Sequence, residues 1–151
     1  AAWRKLSLGL VILVLITIVS GGFVAGLKAG LIFNTFPLMG GSLIPEGIGA
    51  LSPWYLNPLE NMVTVQFNHR WLAIMTGIIL IAWYIRGRSH FEETKLQRSF
   101  KLGGMMVIIQ LVLGITTLLM QVPVLLGALH QAGALLLFSA LLFNLHALSR
   151  V

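Results

Sequence analysis

Four apolar runs, 6–27, 67–85, 102–122 and 124–148, leave this chain few ways to fold. Each is close to the roughly 20 residues that a bilayer's hydrocarbon demands of a helix. Inside that hydrocarbon the backbone must satisfy its own hydrogen bonds, so each run is expected to be helical. The runs are continuously apolar instead of alternating, which disfavours a β-barrel. Composition agrees, with 58% hydrophobic and 9% charged residues, against about 25% charged in a soluble domain. The expected fold is all-α: an integral membrane four-helix bundle forming one four-span domain over 1–151, with an outer loop over about 28–66.

The formal charge of +6 could suggest a nucleic-acid partner, but its placement argues otherwise. Arg4 and Lys5 precede the first run, Arg86, Arg88, Lys95, Arg98 and Lys101 fill the second connection, and Arg150 follows the fourth. Basic residues gather on the cytoplasmic side of a membrane protein. The spacing therefore predicts both ends of the segment on the cytoplasmic or matrix side, with membrane lipid as the surroundings and no nucleic acid. The opposite side receives the long first connection and the short turn at Pro123. The first run exceeds a signal-peptide core of about 7–15 residues and reads as a retained span. With no cysteine, neither disulfides nor thiolate ligands exist. The chain starts at Ala1 and runs straight into a basic flank and a helix, as a piece of a longer protein would.

Four of the five prolines, Pro37, Pro45, Pro53 and Pro58, fall in the first connection and exclude a long helix there. Phe33, Phe36, Trp54 and Tyr55 give it the aromatic content of a membrane interface, so an ordered lid on the outer surface is expected. Gly22, Gly26 and Gly30 follow the small-xxx-small pattern of close helix packing. A weak internal repeat is also visible. Spans one and three carry glycines, and spans two and four each carry a histidine near the outer end, in "QFNHRWLAIMTG" and "ALHQAGALLLFS". Two helix hairpins related by a pseudo-twofold axis along the membrane normal would produce this pattern.

His69 and His130 sit at matched depth, each about 9 Å inside its run at 1.5 Å per residue. Ionisable groups within spans are costly and mark functional sites. One helical turn below them lie Leu72, Ala73, Thr76 and Gly77 on one side, and Gly133, Ala134 and Leu137 on the other. Such small residues would clear a flat apolar slot, which suits a porphyrin whose iron takes both imidazoles axially. Zinc is the weaker reading, since no carboxylate or thiol stands at that depth. A proton relay through Glu60, His69 and His130 leaves the small residues unexplained. Arg70 reads either as an anchor reaching to the interface or as a bidentate partner for a haem propionate. Gln66, Asn68 and Gln131 are further candidate donors, Gln110, Thr116 and Thr117 are expected to bond between helices, and His90 and His146 lie too far inward to join the site.

These residues resemble a family. "GGFVAGLKAGLIFNTFPLMGGSLIPEG", "NPLENMVTVQFNHRWLA" and "GITTLLMQVPVLLGALHQAGALLLF" look like the carboxy-terminal half of haem A synthase in its mitochondrial and alphaproteobacterial form. The resemblance covers about 21–142. It implies an inner-membrane enzyme of eight spans in two similar halves, which oxidises a methyl group of haem O to the formyl group of haem A for cytochrome oxidase. It further implies a haem b between His69 and His130, haem O or haem A in the other half, and haem O synthase, a second copy and an electron donor as partners. The family's catalytic glutamate belongs to the other half and stands close to a histidine. Glu60, nine residues before His69, does not match it, so no catalytic residue is assigned here. The isolated half is expected to lack complete synthase activity. The alternatives are a non-catalytic bis-histidine membrane cytochrome b and a transporter fragment.

Overall fold

A computed structural model describes residues 2–91 and 94–150. Five α-helices follow in order: α1 (Ala2–Gly26), the single-turn α2 (Asn57–Glu60), α3 (Met62–His90), α4 (Thr94–Leu119) and α5 (Val124–Ala147). α1, α3, α4 and α5 are each long and apolar enough to cross a bilayer. No strand occurs among the described residues. The long helices form a closed ring in which α1 touches α3, α3 touches α4, α4 touches α5 and α5 returns to α1. This is the expected all-α bundle. The hairpins α1/α3 and α4/α5 face one another, so α3 and α5 stand diagonally across the axis.

The helices extend beyond the apolar runs for local reasons. α3 starts at Met62, five residues before the run, because Asn61 caps it. The Asn61 side chain accepts from the backbone N–H groups of Val63 and Thr64 at 2.9 and 3.1 Å. Its amide donates to the Gly47 carbonyl at 2.8 Å and to Asn57 Oδ1 at 3.0 Å, tying the loop to the helix start. Such a cap satisfies amides that a helix's first turn leaves open. α4 stops at Leu119, where Gln121 and Val122 adopt left-handed backbone angles, φ 60° and 56°, and Pro123 opens α5. The Val122 side chain of this turn meets Gly30, where an added Cβ would lie 3.0 Å away.

The packed core fills the half of the bundle remote from the long loop, the basic end. Leu10, Val11 and Val14 of α1 meet Leu80, Trp83 and Tyr84 of α3, Phe100 and Val107 of α4, and Leu137 and Leu141 of α5. Gly87 and Gly103 are required here, because any Cβ would fall inside the rings of Phe100 and Tyr84 respectively. A small polar group is embedded in the same region, where Ser99 Oγ stands 2.6 Å from Asn144 Oδ1. Outward surfaces are apolar, with Val124 90% and Leu125 71% exposed, as a lipid-facing surface should be. Gly22 and Gly26 lie on that surface with nothing within 4 Å of an added Cβ. Within this chain they therefore pack no helix, contrary to the small-xxx-small expectation.

Candidate functional site

At the loop end the core gives way to the two histidines, His69 on α3 and His130 on α5. The diagonal placement of these helices puts the two histidines across the bundle axis from each other. Each ring lies against a glycine of the neighbouring helix. A Cβ on Gly21 of α1 would come within 3.0 Å of His69 Cε1, and one on Gly114 of α4 within 2.7 Å of His130 Cε1.

Each ring is also held at Nδ1. Ser20 Oγ donates to the Thr17 carbonyl at 2.8 Å and stands 2.7 Å from His69 Nδ1. A hydroxyl has one hydrogen, already given to Thr17, so toward the imidazole it accepts. Nδ1 therefore carries the proton of a neutral ring, and the lone pair lies on Nε2. The Thr17 main chain approaches the same ring. At His130 the Gln110 main chain plays that part. The Gln110 side-chain nitrogen lies 3.0 Å from Nδ1 and donates to the His130 carbonyl at 2.8 Å. That carbonyl contact fixes which end of the amide faces the ring, since two oxygens would repel; an amide nitrogen only donates, so Nδ1 of His130 accepts here and the ring proton lies on Nε2. Among the described residues no hydrogen bond engages Nε2 of either histidine.

Thr17 and Gly21 stand to His69 as Gln110 and Gly114 stand to His130, with the same four-residue spacing. This is the pseudo-twofold relation written in side chains. Below the site, Thr17 and Thr76 join α1 to α3 through hydroxyls 2.9 Å apart.

Several sequence expectations change. The small residues under the histidines do not clear a slot on their own helices: a Cβ on Gly77 would strike Leu111, one on Gly133 the Gln110 amide oxygen, and Thr76 is buried in its bond to Thr17. The glycines that seat the rings come from α1 and α4. Gln110 does bond between helices, and to the site itself, whereas Thr117 donates within its own helix to Leu113 at 2.7 Å.

Arg70 is no interface anchor, being buried with 7% exposure. Its Nη1 donates to the carbonyls of Thr35 and Leu38 at 2.8 and 3.1 Å, with Pro37 at 3.3 Å, and Nη2 donates to Phe33 at 3.2 Å. Gln66 donates to Phe33 at 2.9 Å, and Asn34 reaches the Leu118 carbonyl at 2.9 Å. Residues 33–38 thus form a strap pinned across the loop end, which the sequence foresaw only as a lid. Arg70 Nε and Gln66 Oε1 are left buried without partners.

Asn68, Gln131 and Glu60 are exposed and away from the rings. His90 stacks on Trp3 at the basic end, with ring centroids 4.9 Å apart, and His146 lies at that end too. Among the described residues, no group of three or more His, Cys, Asp or Glu could hold a bare metal ion. The donor set present is two imidazoles on diagonally opposed helices, each seated against a glycine and with no hydrogen bond at Nε2 among the described residues. It fits axial ligation of a haem and supplies too few ligands for zinc.

Comparison with known proteins points the same way. The COX15-CtaA family model, described as cytochrome oxidase assembly protein, matches residues 1–142. A protein named "Heme A synthase" from Nitrosospira multiformis is 47% identical over 91% of this chain and 39% of its own length. Another of that name, from Paramagnetospirillum magneticum, is 42% identical over 99% of this chain and 41% of its own length. "Heme A synthase COX15" of Arabidopsis thaliana is 43% identical over 97% and 32% respectively. The chain thus spans about two fifths of the length of such relatives or less. No solved structure matches it.

Proposed function

The chain belongs to the COX15-CtaA family of cytochrome oxidase assembly proteins, and from that premise we propose that it is the cofactor-holding half of a haem A synthase. His69 and His130 would hold one haem b between them. The observation that carries this reading is the pair of diagonally opposed histidines, each engaged by the protein at Nδ1 and with no hydrogen bond at Nε2 among the described residues. His69 has the tautomer of a metal-bound histidine, whose far nitrogen donates to a partner and leaves the Nε2 lone pair for the metal; His130 would reach it by carrying its proton on Nδ1, with the Gln110 main chain as acceptor.

A haem held between His69 and His130 would supply one-electron redox chemistry. On this reading the half described here supports the oxidation of the haem O methyl group in the complete protein. Ser20 and Gln110 hold the rings, Gly21 and Gly114 set their depth, and the strap shields the loop end from water. Arg70 follows His69 on α3, and its unpartnered Nε is a donor left for a propionate. The basic end faces the cytoplasm or matrix and the loop end the opposite side.

The test is an absorption spectrum of the complete protein, purified with its native haem. A low-spin b-type spectrum is expected, lost in His69→Ala and in His130→Ala while the helical circular dichroism persists. A low-spin spectrum that survives both substitutions would overturn the ligand assignment.

A further inference from the structure

The basic end carries a cavity that the haem reading does not use. It lies between the first turns of α1 and the last turns of α5 and encloses about 580 Å³. Leu8, Leu142 and Leu145 supply its apolar lining, while Arg4, Lys5, His146 and Ser149 supply its polar one. Among the described residues no carboxylate lines it, so its two cations have no counter-charge from the protein within the cavity.

We propose that this cavity binds an anionic glycerophospholipid, with the phosphate between Arg4, Lys5 and His146 and the upper acyl chains along the leucines. Charge complementarity selects the phosphate. The surroundings select a lipid over a free anion: Leu6, Leu8 and Ile12 of α1 and Leu142 and Phe143 of α5 are all exposed beside the cavity, so it opens onto hydrocarbon and not only onto water. Basic pockets between spans on the cytoplasmic side have the field and geometry for such headgroups. Arg4 can grip two phosphate oxygens at once, whereas Lys5 acts as a point charge.

The experiment uses the complete protein, reconstituted in phosphatidylcholine vesicles containing a minority of phosphatidylglycerol. The protein is extracted and the lipid retained per chain is counted by native mass spectrometry. Phosphatidylglycerol should be retained in preference to phosphatidylcholine. Each cation near a membrane surface changes binding about fivefold, so Arg4→Gln with Lys5→Gln should weaken the preference about 25-fold. Leu142→Trp, on a lipid-facing surface where folding tolerates it, should evict the lipid with the charges intact. Arg86→Gln with Arg88→Gln, which removes equal charge from α3 near the same end, should leave the preference unchanged. Equal retention of the two lipids, an equal loss in the Arg86/Arg88 pair, or a lipid that persists in Leu142→Trp would each overturn the assignment.

Discussion

Gly114→Ala tests the buttressing of His130 directly. The new Cβ would lie 2.7 Å from His130 Cε1 and 3.3 Å from both ring nitrogens. Carbon atoms meet comfortably at about 3.5 Å or more, so the ring must retreat by about 0.8 Å. Metal–ligand distances tolerate about 0.2 Å. The ring cannot absorb the shift by rotating freely, because Gln110 holds it at Nδ1 and at the main-chain oxygen. Gly21→Ala makes the same intrusion against His69 at 3.0 Å, a displacement of about 0.5 Å. Disturbing the shell around a metal ligand costs about 10- to 100-fold in affinity. Gly114→Ala should lie near the upper figure and Gly21→Ala near the lower. Gly22→Ala, one residue along α1 with nothing within 4 Å, should be silent. The measurement is titration of the complete haem-free protein with haem, followed by the low-spin absorbance band. If Gly114→Ala binds as Gly22→Ala does, or if the order of the two buttressing glycines reverses, the geometric reasoning fails.

Ser20→Ala removes the hydroxyl acceptor at His69 Nδ1 and should weaken haem binding about tenfold with little change in helicity; unchanged affinity would leave the Thr17 main chain as the sole support. Arg70→Lys replaces a planar fork with a single ammonium that cannot reach four carbonyls, and a lost bond to a charged group is worth about 1.5–3 kcal/mol. Amide exchange across 33–38 should then rise about tenfold or more, and a protected strap in this variant would refute its role as the clamp. Gly103→Ala drives a Cβ into the Tyr84 ring and should destabilise the bundle by about 1–3 kcal/mol, seen as a lower thermal midpoint. Its haem spectrum when folded should stay normal, because Tyr84 belongs to the basic-end core. Asn61→Ala deletes the cap of α3, worth about 1 kcal/mol, and should also free the loop at Gly47; an unaltered midpoint would argue against the cap.

The histidine pair was legible because an ionisable group in an apolar run stands out, and equal depth on two parallel spans can be counted. The four spans were legible for the same reason of contrast. The buttressing glycines were not. Gly21 and Gly114 look like ordinary packing residues, and what they touch lies on another helix, beyond the reach of i, i+4 arithmetic. That arithmetic pointed to Gly77 and Gly133, which do share a face with the histidines but are consumed by Leu111 and Gln110. Thr117 was misjudged because a mid-helix hydroxyl can bond its own preceding turn as readily as a neighbour. The anchor reading of Arg70 failed because its acceptors are main-chain carbonyls of a proline-containing strap, whose path no side-chain pattern encodes. The one signal available was "QFNHR" itself, where Gln66 and Arg70 are four apart and share the face that meets Phe33.

His69 and Arg70 are consecutive on one rigid helix, about 100° apart. One points to the bundle axis and the other grips the strap. A rotation of α3 that re-aims the imidazole must therefore swing the guanidinium through the same angle, and four hydrogen bonds resist it. The turn is built as a crank: any re-aiming of the imidazole on the inside would be met on the outside by strain on the bonds to residues 33–38. An outer loop and an imidazole at the bundle axis, far apart in chemistry, become two ends of a single mechanical part.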